Sequence, residues 1–176
     1  MRILASFPSA LLTLCILNGL ITTETCANDK ITIDGTARMS EISTELEKAY
    51  QNQHPNLTIV SNFSGTGGGF HSFYRQEIDI NRAARKINPR ELEKLATLNI
   101  SFLELPIARS KDQNETLYFY VLRDSLQKEA IREFLTFVVS KDAQTLITKH
   151  GQSLASDQLK KSRELLEQRL KPFRPE

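Results

Sequence analysis

The feature that most constrains the fold is a cluster of glycines at residues 65–69. Four of the chain's seven glycines lie in these five positions, within the stretch NFSGTGGGFHSF at residues 62–73. The residues before the cluster, 57–63, alternate between apolar and polar, which predicts a β-strand. The residues after it, 70–74, carry apolar side chains at helical spacing. The glycine segment is therefore predicted to join the end of a strand to the beginning of a helix.

The rest of the chain alternates strand-like and helix-like segments. Strand-like segments lie at residues 30–35, 78–80, 100–105 and 116–123, and helix-like segments lie at 40–50, 88–96, 131–138, 143–151 and 159–170. Asn88-Pro89-Arg90-Glu91 is a strong helix start, with Asn88 as the cap. Pro106 is expected to close the third of these strands, and Ser40 to cap the first helix. This order predicts an α/β domain with a mostly parallel sheet flanked by helices, and additional helices at the C-terminus.

The first 27 residues are predicted to be a secretory signal peptide. Arg2 precedes an apolar run at residues 3–21, and Thr25-Cys26-Ala27 provides small residues before a cleavage after Ala27. Polar residues interrupt the run, which argues against a stable membrane span. The residues before the two cysteines do not suit a lipoprotein. We therefore expect a periplasmic or secreted protein without a lipid anchor.

The remaining chain is predicted to form one domain at residues 28–170, followed by a loose tail at 171–176. The net charge is +2, and basic residues alternate with acidic ones, which argues against a nucleic-acid partner. Both cysteines lie in the signal peptide, so we expect no disulfide. The histidines have no metal-like spacing, and no cofactor motif is present. No set of nucleophile, base and orienting residue can be identified, so an enzyme is not expected.

A glycine segment at a helix start is suited to an anion. The first N–H groups of a helix have no partners within it, and the helix dipole places partial positive charge there. The candidate ligands are the hydroxyls of Ser64 and Thr66 and the backbone of three glycines: Gly65, Gly67 and Gly68. The alternative is a turn that needs glycine only for its geometry. Phe70 stands where the nucleotide P-loop has lysine and where the dinucleotide motif has its last glycine.

Several segments in order resemble the periplasmic phosphate-binding proteins of ABC transporters. They are Asp34-Gly35-Thr36, SGTGGGF at 64–70, IDINRAARKI at 78–87, LELP at 103–106 and YFYV at 118–121. The resemblance implies a fold similar to type 2 periplasmic binding proteins, and phosphate or a similar oxyanion as the ligand. It adds Thr36 and Arg85 to the candidate binding residues. It also implies an ABC transporter permease as partner.

The chain departs from this family in ways that weaken the expected binding. Only about ten residues separate the LELP and YFYV segments, where family members have a second lobe, so this chain resembles a one-lobed form. Ala37 and Arg38 replace family hydroxyls, Ala84 replaces a serine, and Arg82 is an added basic residue. Each hydrogen bond to a charged group contributes roughly 1.5–3 kcal/mol. Because this chain lacks several of them, we expect weak binding, with a dissociation constant of roughly micromolar to millimolar. A second copy of the chain is an alternative partner, because a missing lobe uncovers surface. The alternative function is an interaction or structural protein that has lost high-affinity anion binding.

Overall fold

A computed structural model describes residues 29–112 and 115–170. The predicted signal peptide and the predicted tail lie outside the described residues. The strands are β1 (Lys30–Gly35), β2 (Thr58–Ser61), β3 (Ile80–Ala83), β4 (Phe102–Arg109) and β5 (Thr116–Leu122). The helices are α1 (Ser40–Gln53), α2 (Gly65–Tyr74), α3 (Pro89–Thr97), α4 (Glu129–Val138), α5 (Lys141–Ile147) and α6 (Ser156–Leu170), with two short 3-10 helices at Ala37–Met39 and Asp124–Gln127.

The five strands form one sheet in the order β2-β1-β3-β5-β4. β1 pairs in parallel with both β2 and β3, whereas β5 pairs antiparallel with both β3 and β4. Four strands therefore run in one direction and β5 alone runs against them. The predicted α/β fold with a mostly parallel sheet flanked by helices is confirmed.

β5 separates two helical layers because its side chains alternate between the faces of the sheet. Phe119 and Val121 belong to the larger core cluster, which packs under α1, α4, α5 and α6. Tyr118, Tyr120 and Leu122 belong to a smaller cluster on the opposite face, which packs under α2 and α3. Both faces of the sheet are thus covered, as a largely parallel sheet requires.

β4 and β5 form a hairpin at the edge of the sheet. The Ser110 N–H donates to the Glu115 carbonyl at 2.9 Å, so these two residues hold the ends of the two strands together. The prediction that Pro106 ends the preceding strand was wrong, because β4 continues through it to Arg109. Proline lacks a backbone donor, and an edge strand tolerates that loss because it has a neighbour on only one side. A β-bulge between Pro106 and Ala108 accommodates it.

Two of the predicted helix starts can be checked. Asn88 caps α3 in a full capping box with Glu91, with Pro89 at the first helical position, as predicted. Ser40 was predicted to cap α1, which was wrong: Met39 occupies the cap position and Ser40 is the first helical residue. The preceding 3-10 helix displaces the cap, and Thr36 caps that helix instead. No helix among residues 29–112 and 115–170 is long and apolar enough to cross a membrane.

Candidate anion site

The candidate site lies where β1 ends and α2 begins. The glycine segment was predicted as a loop ahead of a helix, but α2 already begins at Gly65. Glycine is a poor helix former, so the sequence alone favours a loop there. Packing of α2 against the ends of β1 and β3 overrides this preference. Most of the glycine segment is therefore the first turn of the helix itself.

Three glycines of this segment are required by geometry. A Cβ atom on Gly69 would lie 2.1 Å from Asn81 Oδ1 and 2.8 Å from the Gly35 Cα, so only glycine lets α2 approach β1 and β3 this closely. Gly65 has a φ of 86°, in the left-handed region that other residues avoid. Gly67 is different, because a Cβ there would meet nothing within 4 Å. A Cβ on Gly68 would lie 2.5 Å from Ser64 Oγ and 2.8 Å from Ser64 Cβ. The purely geometric interpretation thus explains Gly65, Gly68 and Gly69 and leaves Gly67 open.

Ser64 is anchored by the carboxylate of Asp34. The Ser64 hydroxyl donates to Asp34 Oδ2 at 2.7 Å, and its N–H donates to Oδ1 at 3.0 Å. The Gly35 N–H also donates to Oδ1, at 2.7 Å. The Ser64 proton is therefore committed to Asp34, and the hydroxyl oxygen offers a ligand only its lone pairs.

Asp34 places a buried negative charge beside the start of α2. Burial raises the pKa of its carboxyl, but the hydrogen bonds from Ser64 and Gly35 and the charge of Arg82 outweigh burial, so the pKa lies below its ordinary value. Asp34 is ionised at neutral pH as a result. A carboxylate near a helix N-terminus stabilises the helix. The same charge opposes the approach of a second anion.

The first turn of α2 offers unpaired backbone donors to solvent. The Ser64 side chain does not cap this helix, and the Asp34 carboxylate binds only the N–H of Ser64 itself, so the N–H groups of Gly65, Thr66 and Gly67 are left without a side-chain cap. Gly67 is exposed, and Gly65, Thr66 and Gly68 are half-buried. The Thr66 hydroxyl makes no hydrogen bond to any residue that the structure describes. This turn brings together four of the residues predicted from the sequence, and it has the chemistry of a small oxyanion site.

Thr36 lies at the end of β1, close to the same region. Its side chain accepts from the Arg38 N–H at 3.3 Å, and its own N–H donates to the Arg82 carbonyl at 3.0 Å. The residue is buried. Thr36 therefore shapes the turn after β1.

Arg85 points its guanidinium at Glu91. The two N–H groups bind the carboxylate in a fork, at 2.7 and 2.6 Å, and one of them also donates to the Lys86 carbonyl. Glu91 is itself part of the capping box of α3. The structure thus joins Arg85 to the start of α3, with its guanidinium carbon 5.9 Å from the Phe70 ring centre on α2.

Arg82, which the sequence shows only as an added basic residue, belongs to the interior of the protein. Its side chain is fully buried on the inner side of the site. It donates to the Ser43 hydroxyl at 2.7 Å and to the Asn62 carbonyl, and it lies 3.4 Å from Glu47 Oε1. The signal that could have found this is its position within a strand of otherwise buried residues, where a cation needs a partner.

The chain also contains a cleft of about 310 Å³ at the beginning of β1, the opposite end of the strand from the candidate site. Its rim carries Asp29, Glu129 and Glu133. Three carboxylates repel anions, so this cleft does not compete as an anion site. No group of residues suited to a metal ion occurs among the described residues.

The chain is similar in sequence to phosphate-binding proteins. It is 37% identical over 78 residues to Protein SphX of Synechococcus elongatus, a match that covers 44% of this chain and 23% of the relative. It is 36% identical over 76 residues to the phosphate-binding protein PstS of Staphylococcus haemolyticus, covering 43% of this chain and 24% of that protein. The matches thus span about a quarter of the length of these relatives. No family model matches the chain.

The fold is also found in a solved structure of similar size. A protein of Planctomyces limnophilus, described as a possible phosphate binding protein, superposes with a TM-score of 0.75 over 81% of this chain and 99% of its own. The sequence identity is 13%, so this likeness concerns the fold. The fold therefore defines the class, a single α/β lobe like that of the solved structure. The relatives in sequence are Protein SphX and the phosphate-binding protein PstS, and the resemblance inferred from the sequence is confirmed.

Proposed function

We propose that this protein binds phosphate or a similar oxyanion at the first turn of α2. The observation that carries the proposal is the uncapped helix start, with Gly67 exposed and the Thr66 hydroxyl without a hydrogen bond to any described residue. The N–H groups of Gly65, Thr66 and Gly67 are the donors, and the Thr66 hydroxyl is a further one. The names of the sequence relatives, which include phosphate-binding proteins, support phosphate as the ligand.

The binding is weak, because several groups that a tight site would use are committed elsewhere. The Ser64 hydroxyl donates its proton to Asp34, and the Arg85 guanidinium donates to the Glu91 carboxylate. The buried charge of Asp34 adds repulsion. What remains is a helix dipole and a few donors on one side of the ligand, consistent with a dissociation constant of roughly micromolar to millimolar.

The cellular setting is part of the same proposal. The signal peptide is cleaved after Ala27, and the exported lobe acts without enzymatic activity. Its protein partner is an ABC transporter permease or a second copy of the chain. Cleavage after Ala27 gives a mature chain that begins at Asn28. Mass spectrometry of the protein secreted by a bacterial host tests this.

Titration of the mature protein with phosphate and with sulfate tests the binding. NMR spectra of ¹⁵N-labelled protein should show phosphate-dependent shifts concentrated at the amides of Gly65, Thr66 and Gly67. Thr66→Ala should weaken the binding. Thr97→Ala is the matched control, because Thr97 is an exposed helical threonine whose hydroxyl donates only to the Glu93 carbonyl. Nanomolar affinity for a monomer would refute the one-sided site.

Shifts that are absent, or that are spread over the surface, would refute the proposal itself. Equal responses to phosphate and sulfate would identify a general oxyanion site. The alternative of a purely structural or interaction protein is favoured by no observation on the described residues. It predicts no anion dependence at α2 at all.

A further inference from the structure

The most unusual residue outside the first turn of α2 is Arg82. It has 0% relative exposure and lies in β3, between β1 and β5. Burying a cation is unfavourable unless it is paired and hydrogen-bonded. Its Nε is nonetheless buried without an acceptor among the described residues. Such incomplete pairing is weak evidence for a role in stability alone.

The partners of Arg82 form a closed polar network. Glu47, also buried, accepts from the Ser43 hydroxyl and from the Ser61 hydroxyl, the latter at 2.7 Å. Arg82 lies 3.4 Å from Glu47 and donates to Ser43 at 2.7 Å. The network therefore joins α1, β2 and β3 beneath the candidate site.

The remaining contacts of Arg82 all lead to the entrance of α2. Its guanidinium donates to the Asn62 carbonyl and lies 4.0 Å from the centre of the Phe63 ring. These two residues directly precede Ser64. Its carbonyl accepts from the Thr36 N–H. A single residue thus holds both chain segments that flank the first turn of α2.

We propose that Arg82 is the positioning residue of this anion site: its guanidinium holds Asn62 and Phe63 ahead of Ser64, and its charge offsets that of Asp34 behind the helix start. The proposal rests on the proposed function for its effect on binding. The predicted effects of Arg82 on the geometry of residues 62–64 and on the charge of Asp34 are independent of whether phosphate binds. The planar guanidinium of Arg82 reaches Ser43 with one nitrogen and the Asn62 carbonyl with the other, which a lysine ammonium cannot reproduce, so the two roles can be separated.

The experiment compares two variants. Arg82→Lys keeps the positive charge without the planar guanidinium, whereas Arg82→Met removes both the charge and the guanidinium. Three quantities are measured on the mature full chain: the Ser64 amide exchange rate, the Asp34 carboxyl pKa by ¹³C NMR, and the phosphate affinity. Arg75→Met is the matched control, since Arg75 is a half-exposed arginine paired with Glu77. If Arg82→Met does not fold, Phe63→Ala removes one side of the guanidinium contact and supplies the second variant.

We expect Arg82→Lys to speed Ser64 exchange and to weaken phosphate binding about tenfold, the effect of one lost hydrogen bond to a charged group. Its Asp34 pKa should stay close to that of the wild type. Arg82→Met should show the same faster exchange and, in addition, a raised Asp34 pKa. Phe63→Ala should speed Ser64 exchange to a smaller degree.

The proposal is overturned if folded Arg82 variants, or Phe63→Ala, keep the Ser64 exchange rate and the Asp34 pKa of the wild type. It is also overturned if Arg75→Met changes them equally. The proposed function fails separately, when the wild type does not respond to phosphate. In that case Ser64 exchange and the Asp34 pKa still decide whether Arg82 positions the segment.

Discussion

Removing the Ser64 hydroxyl tests the geometry of the site most directly. This hydroxyl donates to the buried carboxylate of Asp34 at 2.7 Å. A hydrogen bond to a charged group contributes roughly 1.5–3 kcal/mol. The lower end applies, because Ser64 is exposed and Asp34 keeps two backbone N–H donors. Ser64→Ala should therefore lower the free energy of unfolding by about 1.5 kcal/mol, equivalent to about 3–6 °C in Tm.

The loss should depend on pH with a definite sign. The folded-state pKa of Asp34 lies below its ordinary value of 3.8. An ionised Asp34 thus contributes stability above that value, and the contribution disappears as the pH falls through the folded-state pKa. Ser64→Ala removes one cause of the lowered pKa. The gap between wild type and variant should be full at neutral pH and shrink below about pH 4.

Urea denaturation of both proteins at several pH values, from about 7 down to about 3, measures this gap. Thr66→Ala is the control, because the Thr66 hydroxyl makes no hydrogen bond to any described residue. Its stability should stay within about 0.5 kcal/mol of the wild type. A Ser64 deficit that does not change with pH, or that Thr66→Ala reproduces, would refute the role assigned to Asp34.

Four further outcomes are expected in urea or thermal denaturation. Gly65→Ala should destabilise by about 1–2 kcal/mol, because φ is 86° there. Gly67→Ala should be neutral or stabilising by up to about 1 kcal/mol, since a Cβ meets no atom within 4 Å; a large loss would contradict that open space. Burial raises the pKa of Asp79, but the hydrogen bonds from Lys128 and Ser125 outweigh burial, so the pKa lies below its ordinary value. Asp79→Asn should therefore destabilise the protein at neutral pH and progressively less below about pH 4. Lys128→Met should cost less than about 1 kcal/mol, because that lysine is half-exposed.

The sequence predicted the fold where local chemistry and tertiary packing agree. The start of α3 was found because Asn88, Pro89 and Glu91 satisfy a capping box within four residues. β5 was found because its run of β-branched and aromatic residues suits a buried strand.

The sequence did not predict features that depend on contacts between residues far apart in the chain. The start of α2 was placed too late, because no local pattern shows that Asn81 and Gly35 pack against Gly69. The same limit applies to Ser64 and Arg82. Their hydrogen bonds join residues 30 and 39 positions apart in the chain, to Asp34 and Ser43. The sequence identified the donors around the helix start, but not which of them the fold had already used.

The tight connection between β4 and β5 has a consequence for how such a lobe can grow. Ser110 and Glu115 lie at the end of an edge hairpin, outside both hydrophobic clusters. Each doubling of a flexible loop costs only about 0.6 kcal/mol in closure entropy. A folded unit whose own ends lie close together could therefore be spliced in here while the five-stranded register stays intact. One- and two-lobed architectures are in this sense separated by a single insertion point, and the thermodynamic barrier between them is low.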